Sequence, residues 1–520
     1  MKYIKYLFFF IIINSFIYPQ NTYYVSPYGS NSNSGLSIND AFQTLQHAAD
    51  IVGPGDSVIV LEGTYAGFDL RTNGTENSPI VFKAENKNVI INQKNPVIND
   101  GINIESAGWV VIDGFTVINQ PRAGIRIVTS DFVTIKNNIC SDNYRWGIFT
   151  GFTDDILIEN NICSGSEDEH GIYVSNSSDR PKILNNHCFN NNACGIHMNG
   201  DISMGGDGII SNAVVAGNII HSNGTGGGSA INMDGVQESY IYNNLIYNNF
   251  ATGIAMYKID GAEGSKNNKV FNNTIVSPSN TRWNILVVNG STGNTLYNNI
   301  LINNHNFRGS ISIDESSLEN FVSDYNILEN RLSNDDGNSN ISLSEWQVLG
   351  YDLHSVIADD EEEIFMDHTS GDFHLLPNSQ PVNFGTSLVA SIVLTDIENV
   401  LRPQGSGYDA GAFEFLSTTD VKEEINVKNF KLYQNYPNPF NPATTISWYS
   451  PVSGIQTLKV YDILGREVAT LINEERPAGY YEVEFSAASL ENSFVLSSGI
   501  FFYRLTIDNY SETKKFQLIK

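Results

Sequence analysis

Short runs of alternating apolar and polar residues return along the first two thirds of the chain, each opening on a small residue followed by an apolar one. Copies begin at Gly124, Gly147, Gly171, Gly195, Ala230, Gly253 and Asn284, and most are about 23 or 24 residues long. Within a copy, a first strand such as Gly171-Ile-Tyr-Val-Ser alternates inward and outward side chains. A second strand carries an Ile-x-Asn-Asn-x-apolar core, as in ILIENNICSG. Strands this short, divided by Asn, Gly and Ser turns, predict β-structure, and helical periodicity is almost absent.

Aligned on these starts, the copies form columns. Asn138, Asn161, Asn186, Asn218, Asn244, Asn273 and Asn299 fall in register, which predicts a ladder of side-chain amides bonded from copy to copy, at a residue type that also tolerates a left-handed turn. Two positions on, Cys140, Cys163, Cys188, Ile220, Ile246, Ile275 and Leu301 form an inward column. Cysteine there replaces isoleucine, so these thiols read as buried small hydrophobes rather than as disulfides or zinc ligands. Met198, Met233 and Met256 read as core for the same reason. A solenoid that adds one coil per copy is a parallel β-helix, and the crossover preference makes it right-handed.

The segment TYYVSPYGSNSNSGLSINDAFQTLQHAADIVGPGDSVIVLEGTY resembles the amino-terminal cap of secreted right-handed parallel β-helix proteins of the pectin-lyase-like group, many of which are polysaccharide lyases, epimerases or hydrolases. Its helix-like piece, residues 41–52, is expected to cover the first coil. GDFHLLPNSQPVNFG and DIENVLRPQGSGYDAGAFEF resemble the carboxy-terminal closing segment of that group, with Asp396, Arg402, Pro403, Asp409, Gly411 and Glu414 in order. From residue 430 the pattern changes to longer alternating runs with Pro and Gly turns, which by themselves suggest a small antiparallel sandwich. LYQNYPNPFNPATTISWYSP and the final Lys-Lys segment are similar to the C-terminal sorting domain of type IX secretion, which implies that export machinery as a partner.

The chain is thus expected to be all-β: a β-helix over 21–416, a linker over 417–429 and a sorting domain over 430–520. MKYIKYLFFFIIINSFIYPQ, two lysines before a short apolar run, reads as a signal peptide over 1–20. The expected location is outside the cell or on its surface, as a monomer. With 57 acidic against 29 basic residues the formal charge is -28. That excludes nucleic acid as a partner, and an acidic polysaccharide would need a local basic cleft or a bridging cation.

Candidate chemistry concentrates in the middle copies. The first outward column carries Arg126, Phe149, Tyr173, His197, Asn232, Ala255 and Leu286. The second carries Val128, Gly151, Ser175, Asn199, Asp234, Tyr257 and Val288. The copies starting at Gly195 and Gly253 are longer than the rest, with their excess in GDISMGGDGIIS and KIDGAEGSKNN and a further glycine run in NGTGGGSA. Long insertions on one side of a regular stack are where binding walls are built. Coils about 4.8 Å apart would make Tyr173, His197 and Asn232 a strip about 10 Å long, suited to a polymer.

A polysaccharide is therefore the expected partner, and a lyase or epimerase acting beside a uronate carboxylate the expected activity. Such chemistry needs a base, a proton donor and a group that neutralises the carboxylate. His197 is the candidate base, Tyr173 the donor, and His170 an assistant one coil earlier. Asn199 and Asn232 would bind the carboxylate. Asp201, Asp207 and Asp234 would hold a calcium ion. Trp146, Tyr257 and Trp283 are candidate sugar-stacking surfaces, with Arg145 and Lys258 as local cations. Two other readings stay open: a glycoside hydrolase with paired carboxylates around Asp234, and a non-catalytic carbohydrate-binding adhesin.

Overall fold

The computed structural model describes residues 20–416 without a break. Beyond 430 it describes residues 431–432, 435, 438, 440, 443–450, 454–462, 466–476, 479–486, 499–507 and 510–518. The expected signal peptide falls almost wholly outside the described residues, and the expected linker falls outside them entirely. By contacts the chain divides into two compact units, 1–416 and 417–520.

The first unit is a parallel β-solenoid of three sheets, with 12, 11 and 12 strands. Each regular coil contributes three strands, where the sequence pattern suggested two. In one coil these are Lys182–Leu184, His187–Phe189 and Ile196–Asn199. The missed boundary is the Asn-Asn step. The first asparagine of each pair, at 137, 160, 185, 243, 272 and 298, has φ between 51° and 59° and turns the corner between two sheets. Where the coil starting at 195 has Gly217 instead, φ is 68°. The left-handed backbone therefore belongs to the residue before the ladder, not to the ladder itself.

The second asparagine does form the ladder. Its Nδ2 donates to the Oδ1 of the next copy at 2.9 to 3.1 Å from Asn138 through Asn299, and the run continues to Asn326. A parallel run that the sequence pattern did not reveal links Asn191, Asn223 and Asn249 at 2.8 and 3.0 Å. All these amides are buried, so each rung satisfies polar groups that would otherwise carry a desolvation cost of about 1–3 kcal/mol. Between the sheets, the Cys140–Cys163–Cys188 column and Met198, Met233 and Met256 are buried among isoleucines and valines, and all four cysteines are free thiols.

Both ends of the stack are covered. At the amino end the helix is Leu45–Ile51, shorter than the sequence suggested because Ala41 and Phe42 stay extended and Phe42 bridges to Val25. Thr44 caps it, accepting the amide of His47, and Leu45, Ala48 and Ala49 face the core. The far end is covered by Leu343–Val348, whose capping box joins Ser342 and Glu345 and whose Trp346 is sealed into the same core. The segment expected to close the helix lies elsewhere. Phe365, Phe373, Ala410 and Phe413 pack on the outward residues Leu245, Val276, Ile300 and Ile302 of the third sheet. Within the segment, Arg402 is buried against Glu414 at 3.0 Å and donates to the carbonyls of Asp409 and Gly411. It therefore closes a flank rather than an end.

The second unit holds antiparallel sheets of three and four strands. Their shared core includes Ile446, Trp448, Leu458, Phe485, Tyr503 and Phe516, which fits the expected small sandwich.

Candidate functional site

The second sheet carries the outward columns in the register expected. Tyr173 pairs with His197, His197 with Asn232 and Asn232 with Ala255; Ser175, Asn199, Asp234 and Tyr257 follow in the neighbouring column. Parallel pairing stacks like positions over one another, so Tyr173 lies face to face with His197, centroids 4.8 Å apart and planes within 14°. Asn199 Nδ2 donates to Tyr173 Oη at 3.3 Å, and Asn232 Nδ2 to Tyr257 Oη at 2.7 Å. Burial pushes the Tyr173 hydroxyl up to about 12, with Glu169, Asp201 and Asp260 adding to the rise, so it is a proton donor at neutral pH.

Hydrogen positions on the two histidines follow from their partners. The backbone N–H of Cys194 donates to His170 Nδ1 at 3.1 Å. Nδ1 is therefore unprotonated, and a neutral His170 carries its proton on Nε2. Nε2 faces His197 Nδ1 at 3.0 Å and donates to it, so a neutral His197 carries its own proton on Nε2. That Nε2 is sealed from solvent and has no hydrogen-bond partner, although part of the residue reaches the surface. Burial depresses both rings: His197 falls to about 4, and His170 lies well below the usual histidine range, lowered further by His197 and Arg145. A backbone amide thus sets two tautomers in series and leaves a buried N–H on His197 without an acceptor. This corrects the expectation that His197 is a base at that nitrogen. His170 meets Tyr173 edge-on, ring centroids 5.1 Å apart, and hydrogen-bonds His197.

The insertions build a wall beside it. The loop after Asn199 contains a short helix, Ile202–Met204, and meets the loop after Tyr257: Ile202 N–H donates to Asp260 O at 3.0 Å and Ala262 N–H to Gly208 O at 2.9 Å. Gly235 and Gly261 touch back to back, where a Cβ on Gly261 would lie 2.7 Å from the Gly235 Cα. That approach lets the carboxylate of Asp234 accept the amides of Ile259, Asp260 and Gly261 at 2.8 to 3.0 Å. On the other side, Gly226 N–H bonds Asn192 O, and Ser229 N–H donates to Cys194 Sγ at 3.4 Å.

Other expected residues have structural duties. Asp234 is a buried loop anchor. Asp201 accepts Ser203 N–H and Oγ–H, and Asp207 accepts Ile209 N–H. The three aspartates do not converge as a ligand group among the described residues, so the expected calcium site is not assembled from them. Trp146 has Phe149 stacked at 4.5 Å, the Arg145 guanidinium 4.7 Å from its ring, and Nε1–H donating to Glu169 at 2.7 Å. Trp283 is 6% exposed beneath Gly337. Neither tryptophan is a free stacking face. Arg145 pairs with Asp168 and Glu169, and Lys258 Nζ donates to Ala262 O at 2.6 Å.

Two residues the sequence reading passed over belong here. Glu169 ties Trp146 and Arg145 together and lies 3.7 Å from His170 Nε2. Asp260 projects from the wall, exposed, with Oδ2 accepting Asn199 Nδ2 at 3.3 Å. Its signal was present in the insertion KIDGAEGSKNN, but only the fold brings that loop beside Asn199.

His170, Cys194 and His197 also offer three metal-ligating atoms within 4.8 Å of one another. The proton count argues against an ion there. A neutral His170 that takes the Cys194 amide at Nδ1 has no lone pair at Nε2, and burial pushes the Cys194 thiol up to about 12, away from thiolate.

The fold and site define a secreted-type parallel β-helix with a walled polar strip on one sheet. Residues 54–227 match the family described as periplasmic copper-binding protein (NosD), a right-handed β-helix family, and residues 434–520 match the secretion system C-terminal sorting domain. The chain therefore carries a type IX sorting domain, the mark of a protein exported to the cell surface or beyond. It is 32% identical over 130 residues to the uncharacterized protein YwoF of Bacillus subtilis (strain 168), which is 22% of this chain and 27% of that relative. Its fold is similar to that of pectate lyase Pel9A, at a TM-score of 0.51 and 16% identity, covering 76% of this chain and 97% of that one. An alginate lyase from Paenibacillus sp. str. FPU-7 aligns at a TM-score of 0.41 and 20% identity, over 51% of this chain and 94% of that one.

Proposed function

We propose that this exported β-helix binds and cleaves or epimerises a polysaccharide on the strip formed by Tyr173, His197, Asn199, Asn232 and Tyr257. The observation that carries the reading is His197 Nε2–H: a buried donor without an acceptor, fixed in direction by His170 and the Cys194 amide. A buried donor left unpaired costs free energy unless a ligand oxygen meets it. The stacked Tyr173, the wall of two insertions and the length of the strip suit a glycan chain, and the pectate lyase whose fold this chain shares acts on such a polymer.

For a uronate, the chemistry is removal of the proton beside the carboxylate. His197 Nε2–H, with the second N–H of Asn232, would hold the carboxylate oxygens as negative charge develops, and Asn199, whose N–H groups go to Tyr173 and Asp260, would orient those two residues. Tyr173, protonated at neutral pH, would deliver a proton to the leaving oxygen or back to the ring carbon. Asp260 is the carboxylate on the wall that would accept the proton. A second reading has a specific observation behind it. Asp201, Asp207 and Asp260 are wholly or partly exposed around the strip, while Arg145 and Lys258 are engaged with protein atoms. That balance favours a glycan without carboxylates, cleaved by hydrolysis with Asp260 as the base.

Incubating the exported protein with polyuronates and uncharged glycans, with and without calcium, separates these readings. Ultraviolet absorbance of an unsaturated product marks elimination. New saturated reducing ends mark hydrolysis, and an altered sugar configuration without cleavage marks epimerisation. Binding without any product would leave an adhesin and sink the catalytic proposal.

A further inference from the structure

Two buried polar atoms on the strip have no hydrogen-bond partner among the described residues, and they differ in kind: His197 Nε2–H is a donor and Asn199 Oδ1 an acceptor. The second assignment follows from a neighbour. The other terminal atom of Asn199 faces Asp260 Oδ2 at 3.3 Å, and a carboxylate oxygen accepts from a nitrogen, so Oδ1 is the unpaired end. The two residues alternate along one strand, Ile196–Asn199, and so project from the same face of the sheet, roughly 6.6 Å apart. A carboxylate would satisfy only the donor. A planar amide can satisfy both, its C=O accepting from His197 and its N–H donating to Asn199.

The wall beside this pair exposes apolar side chains. Ile202 is 48% exposed, Met204 58% and Ile259 72%, and all three stand on the two insertions joined by the bond from Ile202 N–H to Asp260 O. Their backbone is fixed before any ligand arrives: Asp234 accepts the Ile259 amide at 2.9 Å, and Asp201 accepts the Ser203 amide at 3.1 Å. A small apolar group that settles there leaves water with little ordering of the wall. Asp201, Asp207 and Asp260 are wholly or partly exposed on the same two loops, while Lys258 donates to Ala262 O. That rim disfavours an anionic sugar.

From these observations we propose that the bound glycan is uncharged and N-acetylated: its acetamido C=O accepts from His197 Nε2–H, its N–H donates to Asn199 Oδ1, and its methyl group packs on the wall at Ile202, Met204 and Ile259. The inference rests on the reading of the strip as a site for a glycan without carboxylates. Asn199 is held to Tyr173 and Asp260 by bonds of 3.3 Å each, longer than the usual length of about 2.9–3.0 Å, and these are the contacts that loosen as the amide enters. An O-acetyl ester supplies the methyl and the C=O but no N–H, and leaves Asn199 Oδ1 unpaired.

The test screens the full chain against an array of neutral and acidic glycans and measures the affinity of those that bind. The array includes matched chains that bear an acetamido, O-acetyl or hydroxyl group at one position, such as β-1,4-linked oligomers of N-acetylglucosamine, 2-O-acetylglucose and glucose. The acetamido member should bind tightest, about tenfold or more above its hydroxyl counterpart. Met204→Ser and Ile259→Ser, both at exposed positions, should melt as the wild type does and weaken that member about fourfold each, the loss of roughly one methyl contact. Binding of the hydroxyl counterpart should not change. Glycans bound without regard to the acetamido group, or serine substitutions that weaken both members equally, would overturn the inference and leave the strip a glycan site. No glycan bound at all would overturn the reading of the strip itself.

Discussion

Two pairs of histidines, His170 with His197 and His187 with His221, sit on two sheets of one solenoid, each pair in contact through ring nitrogens at about the same distance, 3.0 and 2.8 Å. What differs is the far nitrogen. In the first pair the Cys194 amide occupies His170 Nδ1, forces a one-way proton order and leaves a buried N–H on His197 without an acceptor. In the second pair the neighbour is Ser222 Oγ, which can donate or accept. One pair has a fixed proton order and the other an order that can reverse. Contact distance alone does not assign a histidine's role; the accounting of its second nitrogen does.

The largest expected effect lies in the first region. Tyr173→Phe or Asp260→Asn should lower turnover of the responsive glycan by roughly 10²–10⁴-fold, measured as initial rates beside unchanged melting. A small rate loss in both would remove the strip from the chemistry.

The next effect is on stability. His170→Ala leaves the Cys194 amide and His197 Nδ1 without partners in a buried setting, at a cost of about 1–3 kcal/mol, read from thermal or denaturant unfolding. His187→Ala, partly exposed and with water to replace its partner, should cost less than about 1 kcal/mol. Equal losses would break the comparison. A rung of the ladder supplies a reference: Asn218→Ala strips acceptors from both the amide and the side chain of Asn186 and should cost at least as much as His170→Ala.

Acid should separate the pairs further. His197 falls from 6.5 to about 4 in the folded chain because it is buried. Between those values the unfolded chain binds a proton that the folded chain refuses. The stability contribution is thus complete above pH 6.5 and is lost as pH falls toward 4. His197→Gln should flatten the melting temperature against pH over that window. His221 is depressed to about 4 as well, by burial and by His187, but solvent reaches this pair, so His221→Gln should flatten it less.

The smallest effect concerns Cys194. Its thiol accepts only a long bond from Ser229 N–H, and the tautomer order depends on its backbone. Cys194→Ala should leave glycan binding and the acid profile nearly unchanged. A large loss of binding would restore the thiol as a ligand.

Much of this molecule was legible before any coordinates. The coil period, the inward cysteine and methionine columns and the outward register of Tyr173, His197 and Asn232 are all present as spacing, because each side chain in a parallel stack is fixed by its place in the repeat. The position before each ladder asparagine was also there to read, since Gly217 replaces asparagine where φ is positive. Asp201, Asp207 and Asp234 looked alike as acidic residues beside glycine or in glycine-rich loops, yet one anchors a wall and two cap turns.

The sequence by itself determined the solenoid, the strip and the export domain, since these follow from periodicity and local motif. Only the tertiary structure decided which nitrogen of His170 and of His197 carries a proton, that Asp260 stands beside Asn199, and that both candidate tryptophans are covered. Those facts depend on backbone amides and loops brought together from different coils, and no spacing along the chain encodes the direction of a hydrogen bond between them.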